Sequence, residues 1–418
     1  MTTETSLFAL LVVAALVAVL ARRLRLPYTV LLVTAGIGLA ALADAALLPS
    51  LDAVRLTPTL VFHVLLPVLV FEASFHISWL RFRESVRAIL LLALPGVVLA
   101  VVTGGALTYL LESLLGTAIP LTVAVLISAI LAATDPVSVV ALFKELGVPE
   151  RLGTIVEGES LLNDAIGVVA FTVCAGMLGL GPAGEAPTGG ELALHLCWEI
   201  GIGVVAGIAV GLFVSWATTL VDDHLVEIML TTVAAFGSYL AAEALGASPI
   251  LAVVASGMTC GNVAARIGMT PENRIAVESF WEYCVFAANG FVFLLLGKEV
   301  HLARLLEHVA AIVAAWVALA LARALVVLVV DRVLWRTRER LPRRWPAVLV
   351  WGGLRGALSM VLALGIPDAL PERELVVDIT FGVVVLSILV QGMTMTPVLR
   401  WATADTHSAG ADAGAPAP

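Results

Sequence analysis

The stretch ATDPVSVVALFKELGVPERLGTIVEGESLLNDAIG, residues 133–167, sets Asp135, Glu157, Glu159 and Asp164 among apolar runs. Pro136 lacks an N–H and disfavours the α conformation at Asp135, so a helix over 119–142 should break or distort at Thr134-Asp135-Pro136, near its middle. A break frees backbone carbonyls. Thr134 adds a hydroxyl and Asp135 a carboxylate, the hard oxygen donors an alkali cation needs in place of its water. In the next run Ser160 and Asp164 are four apart and stack on one helix face, with Glu157 three before Ser160 on the same stripe. Asn163 points about 100° away from Asp164, where it can hold the neighbouring broken helix by hydrogen bonds. A lone proline in such a helix reads as a plain kink. An acidic neighbour at the same depth shifts the reading to a site.

Outward from this stretch, the chain of 418 residues is 61% hydrophobic and 13% charged, more apolar side chain than a soluble domain can hide. Its solvent is lipid. A spanning helix needs about 20 mostly apolar residues, and 13 such stretches run almost end to end: 6–21, 27–48, 58–78, 86–111, 119–142, 154–180, 191–220, 225–245, 247–265, 276–297, 303–334, 345–367 and 375–400. The fold class read from this pattern is an all-α polytopic membrane protein with 13 transmembrane helices, a membrane domain over 1–400 and a disordered cytoplasmic tail over 401–418. Counted by loop, alternate connections hold 17 and 4 of the Lys and Arg residues, which predicts the N-terminus outside and the C-terminus inside. Membrane lipid is therefore a partner and the inner cell membrane the expected location. The net charge of −9 argues against nucleic acid. No Lys or Arg precedes the first apolar run, so that run is expected to be retained rather than cleaved as a signal peptide. Cys174, Cys197, Cys260 and Cys284 lie scattered without CxxC spacing and read as small packing residues.

A carboxylate at bilayer depth is costly unless paired, hydrated or protonated, so every ionisable residue inside a span is a candidate. Beyond the group above these are Glu72, Glu243, Glu278 and Glu282, with Arg323 and Arg355 as cations. Desolvation penalises the bare Asp164 anion, which would then hold either a proton or a cation. Glu72, four before His76, reads equally as an interfacial pair or as a gate facing the ion path. Glu243, Glu278 and Arg323 read equally as helix braces. In WGGLRGALSM, residues 351–360, glycines weaken the helix and Arg355 must find an acid or carbonyl dipoles. Interrupted helices seven spans apart predict two inverted six-helix repeats. A membrane aspartyl hydrolase sharing a proton between Asp135 and Asp164 would leave Arg355 without a task, and a channel would need a continuous pore. No GxxxxGK[ST] loop supports ATP-driven transport, and no cofactor is expected.

LVFEASFHI (69–77), ATDPVSVVALFKELG (133–147), EGESLLNDAIGVV (157–169), FWEYCVFAANGFVFLLLG (280–297) and WGGLRGALSMVLAL (351–364) resemble, closely and in order, the monovalent cation:proton antiporter-1 family, the NhaP and NHE type of sodium/proton exchanger. The resemblance implies a transporter, not an enzyme, that exchanges Na+, K+ or Li+ for H+ by alternating access, serving pH and cation homeostasis. It implies a homodimer with core helices at about 86–180 and 303–400, dimerisation helices at about 6–78 and 191–297, and broken helices crossing at the midplane. It assigns ion contact to Asp164, Ser160, Glu72 and the Thr134-Asp135 segment, with the alkali cation at Asp164, Ser160 and Thr134. Asn163 would stabilise the crossing, and Arg355 would face Glu159 or nearby helix ends. The Asn-Asp pair at 163–164, where electrogenic relatives carry Asp-Asp, implies one-for-one electroneutral exchange.

Overall fold

Hydrocarbon offers the backbone no partner, so an apolar chain must satisfy its own N–H and C=O groups within each segment, and the helix is the form open to this sequence. The structure, a computed structural model, describes residues 3–24, 26–44, 57–117, 119–135, 137–180 and 189–412. Every regular element among them is helical. In chain order these are α1 (Thr3–Leu24), α2 (Tyr28–Asp44), α3 (Pro58–His76), α4 (Val86–Leu114), α5a (Leu121–Ile130), α5b (Val137–Leu146), α6 (Glu150–Met177) and α7 (Gly189–Thr218). There follow α8 (His224–Ala244), α9 (Pro249–Ile267), α10 (Pro271–Lys298), α11 (Val309–Leu334), α12a (Trp345–Trp351), α12b (Ala357–Leu364) and α13 (Arg373–Thr403). Short helices Trp79–Glu84 and Leu302–Glu307 lie between them.

Among the described residues, 10 helices are long and apolar enough to cross a membrane. The other three apolar stretches behave differently. The apolar part of α2 is shorter, Tyr28–Ala43, and the stretches 119–142 and 345–367 are each split into two half-helices. The first break covers 131–135, directly before Pro136, which lies outside the described residues. Of the tail expected over 401–418, residues 413–418 lie outside the described residues, and the last helix runs through Asp412. Residues 402–412 include four alanines, the strongest helix former, and this offsets the glycine at 410.

Packing follows residue size. α4 lies along α11 and α5a, and α6 packs on α5a and the start of α4. In a second group α9 packs between α7, α8 and α3, and α10 lies on α2 and α3. At the α3–α9 crossing a Cβ on Gly261 would run into the backbone of Phe75, so the two helices touch main chain to main chain.

One buried ion pair ties three elements beside the breaks. Glu159 of α6 is 2% exposed and Arg323 of α11 is 7% exposed. The guanidinium grips the carboxylate as a fork, Nη1–Oε1 2.9 Å and Nη2–Oε2 2.8 Å, while Nε donates to the Leu349 carbonyl of α12a at 3.1 Å. Removing one member of a buried pair strands the other charge, at a cost of about 3–5 kcal/mol. Arg323→Leu should therefore lower stability in detergent by that order, and Glu159→Leu combined with Arg323→Leu should recover most of it. Unfolding of the purified variants checks this; a double variant no more stable than Arg323→Leu would contradict it.

Candidate functional site

The site forms where the two interrupted helices cross. The chain is irregular between α5a and α5b at 133–135 and between α12a and α12b at 353–356. Among the described residues the two irregular pieces are joined by a backbone bond, Asp135 N–H to the Leu354 carbonyl at 2.8 Å. Gly356 sits against Asp135 with φ −125° and ψ −164°, an ordinary extended conformation. What it supplies is space, since a Cβ there would lie 2.5 Å from Asp135 Cβ and 2.6 Å from Oδ2.

Breaking a helix orphans its last carbonyls, and here side chains take them up. Arg355 Nη1 donates to the Ala132 carbonyl at 2.9 Å and to that of Ala133 at 3.3 Å. A cation at the negative end of a half-helix is favourable. Its own backbone N–H donates to Ser387 Oγ at 3.1 Å, within a π-helical turn of α13 spanning Ser387–Gly392. From α6, Asn163 Nδ2 donates to the Ala132 carbonyl at 3.1 Å, to Thr134 Oγ1 at 3.3 Å and to Glu159 Oε1 at 3.3 Å. Ser160 Oγ donates to the Thr134 carbonyl. Asn163 thus holds the neighbouring broken helix through its amide.

Of the two partners expected for Arg355, the helix ends are the ones it bonds. Glu159, the other, is bonded by Arg323 and by Asn163 Nδ2.

Asp164 and Asp135 differ from Glu159 in exposure. Both are partly exposed and line a cavity of about 940 Å³, together with Thr134, Ser160, Glu72 and Glu157. The lining also includes Glu282, Phe286 and Asn289 of α10, with Arg22 and Arg400, both exposed. All five expected ion-contact residues therefore face one space. Glu72 also has His76 close by, Nδ1 lying 3.4 Å from Oε1 and 3.0 Å from its carbonyl, so the interfacial pair and the path-facing position coexist. Glu243 and Glu278 are absent from this lining; they pair with His63 at 3.2 Å and with Arg274 at 2.7 Å. Glu282 was legible only as an acid inside a span, with no spacing signal to link α10 to α6. All four cysteines are free thiols, and no trio of His, Cys, Asp and Glu among the described residues is placed to hold a metal ion.

Taken as ionised, and apart from Glu72, Glu157, Glu282, Arg22 and Arg400 elsewhere on the cavity, the groups at the crossing sum to one negative charge: Asp135, Asp164 and Glu159 against Arg323 and Arg355. Since the Glu159 pair is closed, the excess lies on the carboxylates that face the cavity. Such a site can take up one proton or one small monovalent cation among the Asp164 carboxylate, the Ser160 and Thr134 oxygens and water.

Comparison with known proteins agrees. Residues 9–401 match the profile of the family described as sodium/hydrogen exchanger, transmembrane. The chain is 40% identical over 377 residues to the Na(+)/H(+) antiporter ApNhaP of Aphanothece halophytica, covering 90% of this chain and 70% of that one. It is 38% identical over 390 residues to the low-affinity Na(+)/H(+) antiporter NhaS1 of Synechocystis sp., covering 90% and 69%. The fold is similar to that of the sodium proton antiporter MjNhaP1 of Methanocaldococcus jannaschii, with a TM-score of 0.74 at 19% identity and 97% of each chain covered. These relatives are transporters, not enzymes. A multi-pass membrane protein with this sequence match and this helix crossing belongs to the sodium/hydrogen exchanger family.

Proposed function

We propose that the chain is a sodium/proton antiporter that exchanges one Na+ for one H+ without net charge movement, by alternating access to a site centred on Asp164. The observation that carries this reading is the state of the three acids at the crossing. Glu159 is locked to Arg323, while Asp164 and Asp135 open on a cavity beside the Thr134 and Ser160 oxygens. One surplus negative charge is neutralised equally by a proton or a monovalent cation, which makes the two ligands competitors. Protonation of Asp164 then expels the cation. A loaded site lets the core move; the bare carboxylate, costly in a dry interface, does not.

In this reading Asp164, Ser160 and Thr134 hold the cation, Asp135 contributes field or a ligand, and Glu72 guards the approach. K+ and Li+ use the same ligand types as Na+, and cavity size decides among the three. The remaining architecture of the proposal is 13 spans in two inverted six-helix repeats, with the N-terminus outside and the C-terminus inside the inner cell membrane. Core helices at about 86–180 and 303–400 move against dimerisation helices at about 6–78 and 191–297 of a homodimer. The task served is pH and cation homeostasis.

Asp164→Asn should abolish sodium-driven proton flux in proteoliposomes while the protein still folds; retained exchange would exclude Asp164 as the site. For the native chain, competition requires the apparent KM for Na+ to rise as pH falls with the maximal rate unchanged. A KM independent of pH would show that the ligands do not compete. Imposing a membrane potential should leave the exchange rate unaltered, and a voltage-dependent rate would overturn electroneutrality. Gly356→Ala should push Asp135 out of place and reduce exchange by at least tenfold, an effect of about 1.4 kcal/mol or more at the transition barrier. Native flux in that variant would mean Asp135 has room to spare.

A further inference from the structure

The last turn of α11 and its connection to α12a carry Arg332, Arg336, Arg338, Arg340, Arg343 and Arg344. A cation excess on such a connection orients a membrane protein and needs no further role. Three features go beyond that need.

The turn is rigidly built. Thr337 N–H donates to the Leu334 carbonyl at 2.9 Å, Glu339 N–H to Thr337 Oγ1 at 3.2 Å, and Arg151 Nη2 of α6 to the Glu339 carbonyl at 2.8 Å. The backbone that carries its cations is therefore fixed by hydrogen bonds.

The carboxylate within the turn is turned away from them. Glu339 accepts from the Ala88 backbone N–H at 3.0 Å and lies 3.8 Å from Arg87 Nε. Among the described residues no carboxylate pairs with Arg332, Arg336, Arg338 or Arg343. A cluster of like charges without acidic partners repels itself until an anion joins it.

The cluster also caps an apolar stripe. Leu321, Leu325 and Leu328 precede Arg332 by 11, 7 and 4 positions, share its helix face and are all exposed. Trp335, 47% exposed, and Arg336 continue the stripe, and the Arg340 guanidinium lies 3.9 Å over the Trp335 ring. On α13, Trp401 is 52% exposed under Arg344 at 5.1 Å. Exposed tryptophans mark headgroup level, so the unpaired arginines stand where lipid phosphates do.

We propose that this turn binds the phosphate headgroup of an anionic phospholipid, held by Arg332, Arg336 and Arg343, with an acyl chain along Leu321, Leu325 and Leu328. Arg340 and Arg344 stack on their tryptophans and frame the site. A zwitterionic headgroup would bring its own cation into the cluster and is disfavoured.

The test is thermal unfolding of the purified full chain in nonionic detergent, titrated with phosphatidylglycerol or with phosphatidylcholine. Phosphatidylglycerol should raise Tm at a concentration at least tenfold lower than phosphatidylcholine. Each arginine removed should cost roughly fivefold in that preference. Arg332→Gln, Arg336→Gln and Arg343→Gln together should abolish it, and the three Arg→Lys changes should keep most of it. Should the triple Gln variant fail to fold, Arg332→Gln alone gives the fivefold step. Equal response of the native chain to both lipids, a preference that survives the Gln changes, or the same Tm shift from inorganic phosphate would each overturn the proposal.

Discussion

The structure depends on one constraint: two helices stop inside the membrane and must still leave no main-chain group unsatisfied. A backbone bond, Asp135 N–H to Leu354 O at 2.8 Å, joins the two interruptions. The carbonyls that the first break orphans are taken by Arg355, Asn163 and Ser160. In lipid each such group left bare costs several kcal/mol, so these side chains make the break possible before they make it useful. Irregular backbone at this depth is tolerated where it is buried in protein or lines a cavity, and here it does both. The polar atoms a cation needs are thus a by-product of how the crossing is built.

Charge is partitioned in the same small volume. Glu159 and Arg323 form a dry, bidentate pair whose members are nearly inaccessible, and this pair joins α6, α11 and α12a. Asp164, five residues on from Glu159, looks into the cavity instead. A paired acid braces, while an acid on the cavity is open to a ligand. Their different tasks come from environment, since carboxylate chemistry is common to both.

Much of this was legible beforehand, and for local reasons. Pro136 after Asp135 marks a break because proline affects its own and the preceding residue, and the break lies at 131–135. The spacing of Ser160 and Asp164 puts both on the cavity side of α6, and the offset of Asn163 turns it toward the broken helix.

Composition, periodicity and proline placement by themselves determined a lipid-embedded helical protein, the site of its broken helix and the face bearing Asp164. Each depends on residues within a turn or two of one another. Only the tertiary structure decided that Glu159 belongs to Arg323, 164 positions away, and that Arg355 serves carbonyls. It also decided that Glu282 shares a cavity with Asp164 while Glu243 and Glu278 do not. An ion pair is chosen by which helices pack side by side, and a span reads much the same beside any neighbour, because lipid-facing and protein-facing surfaces are both apolar.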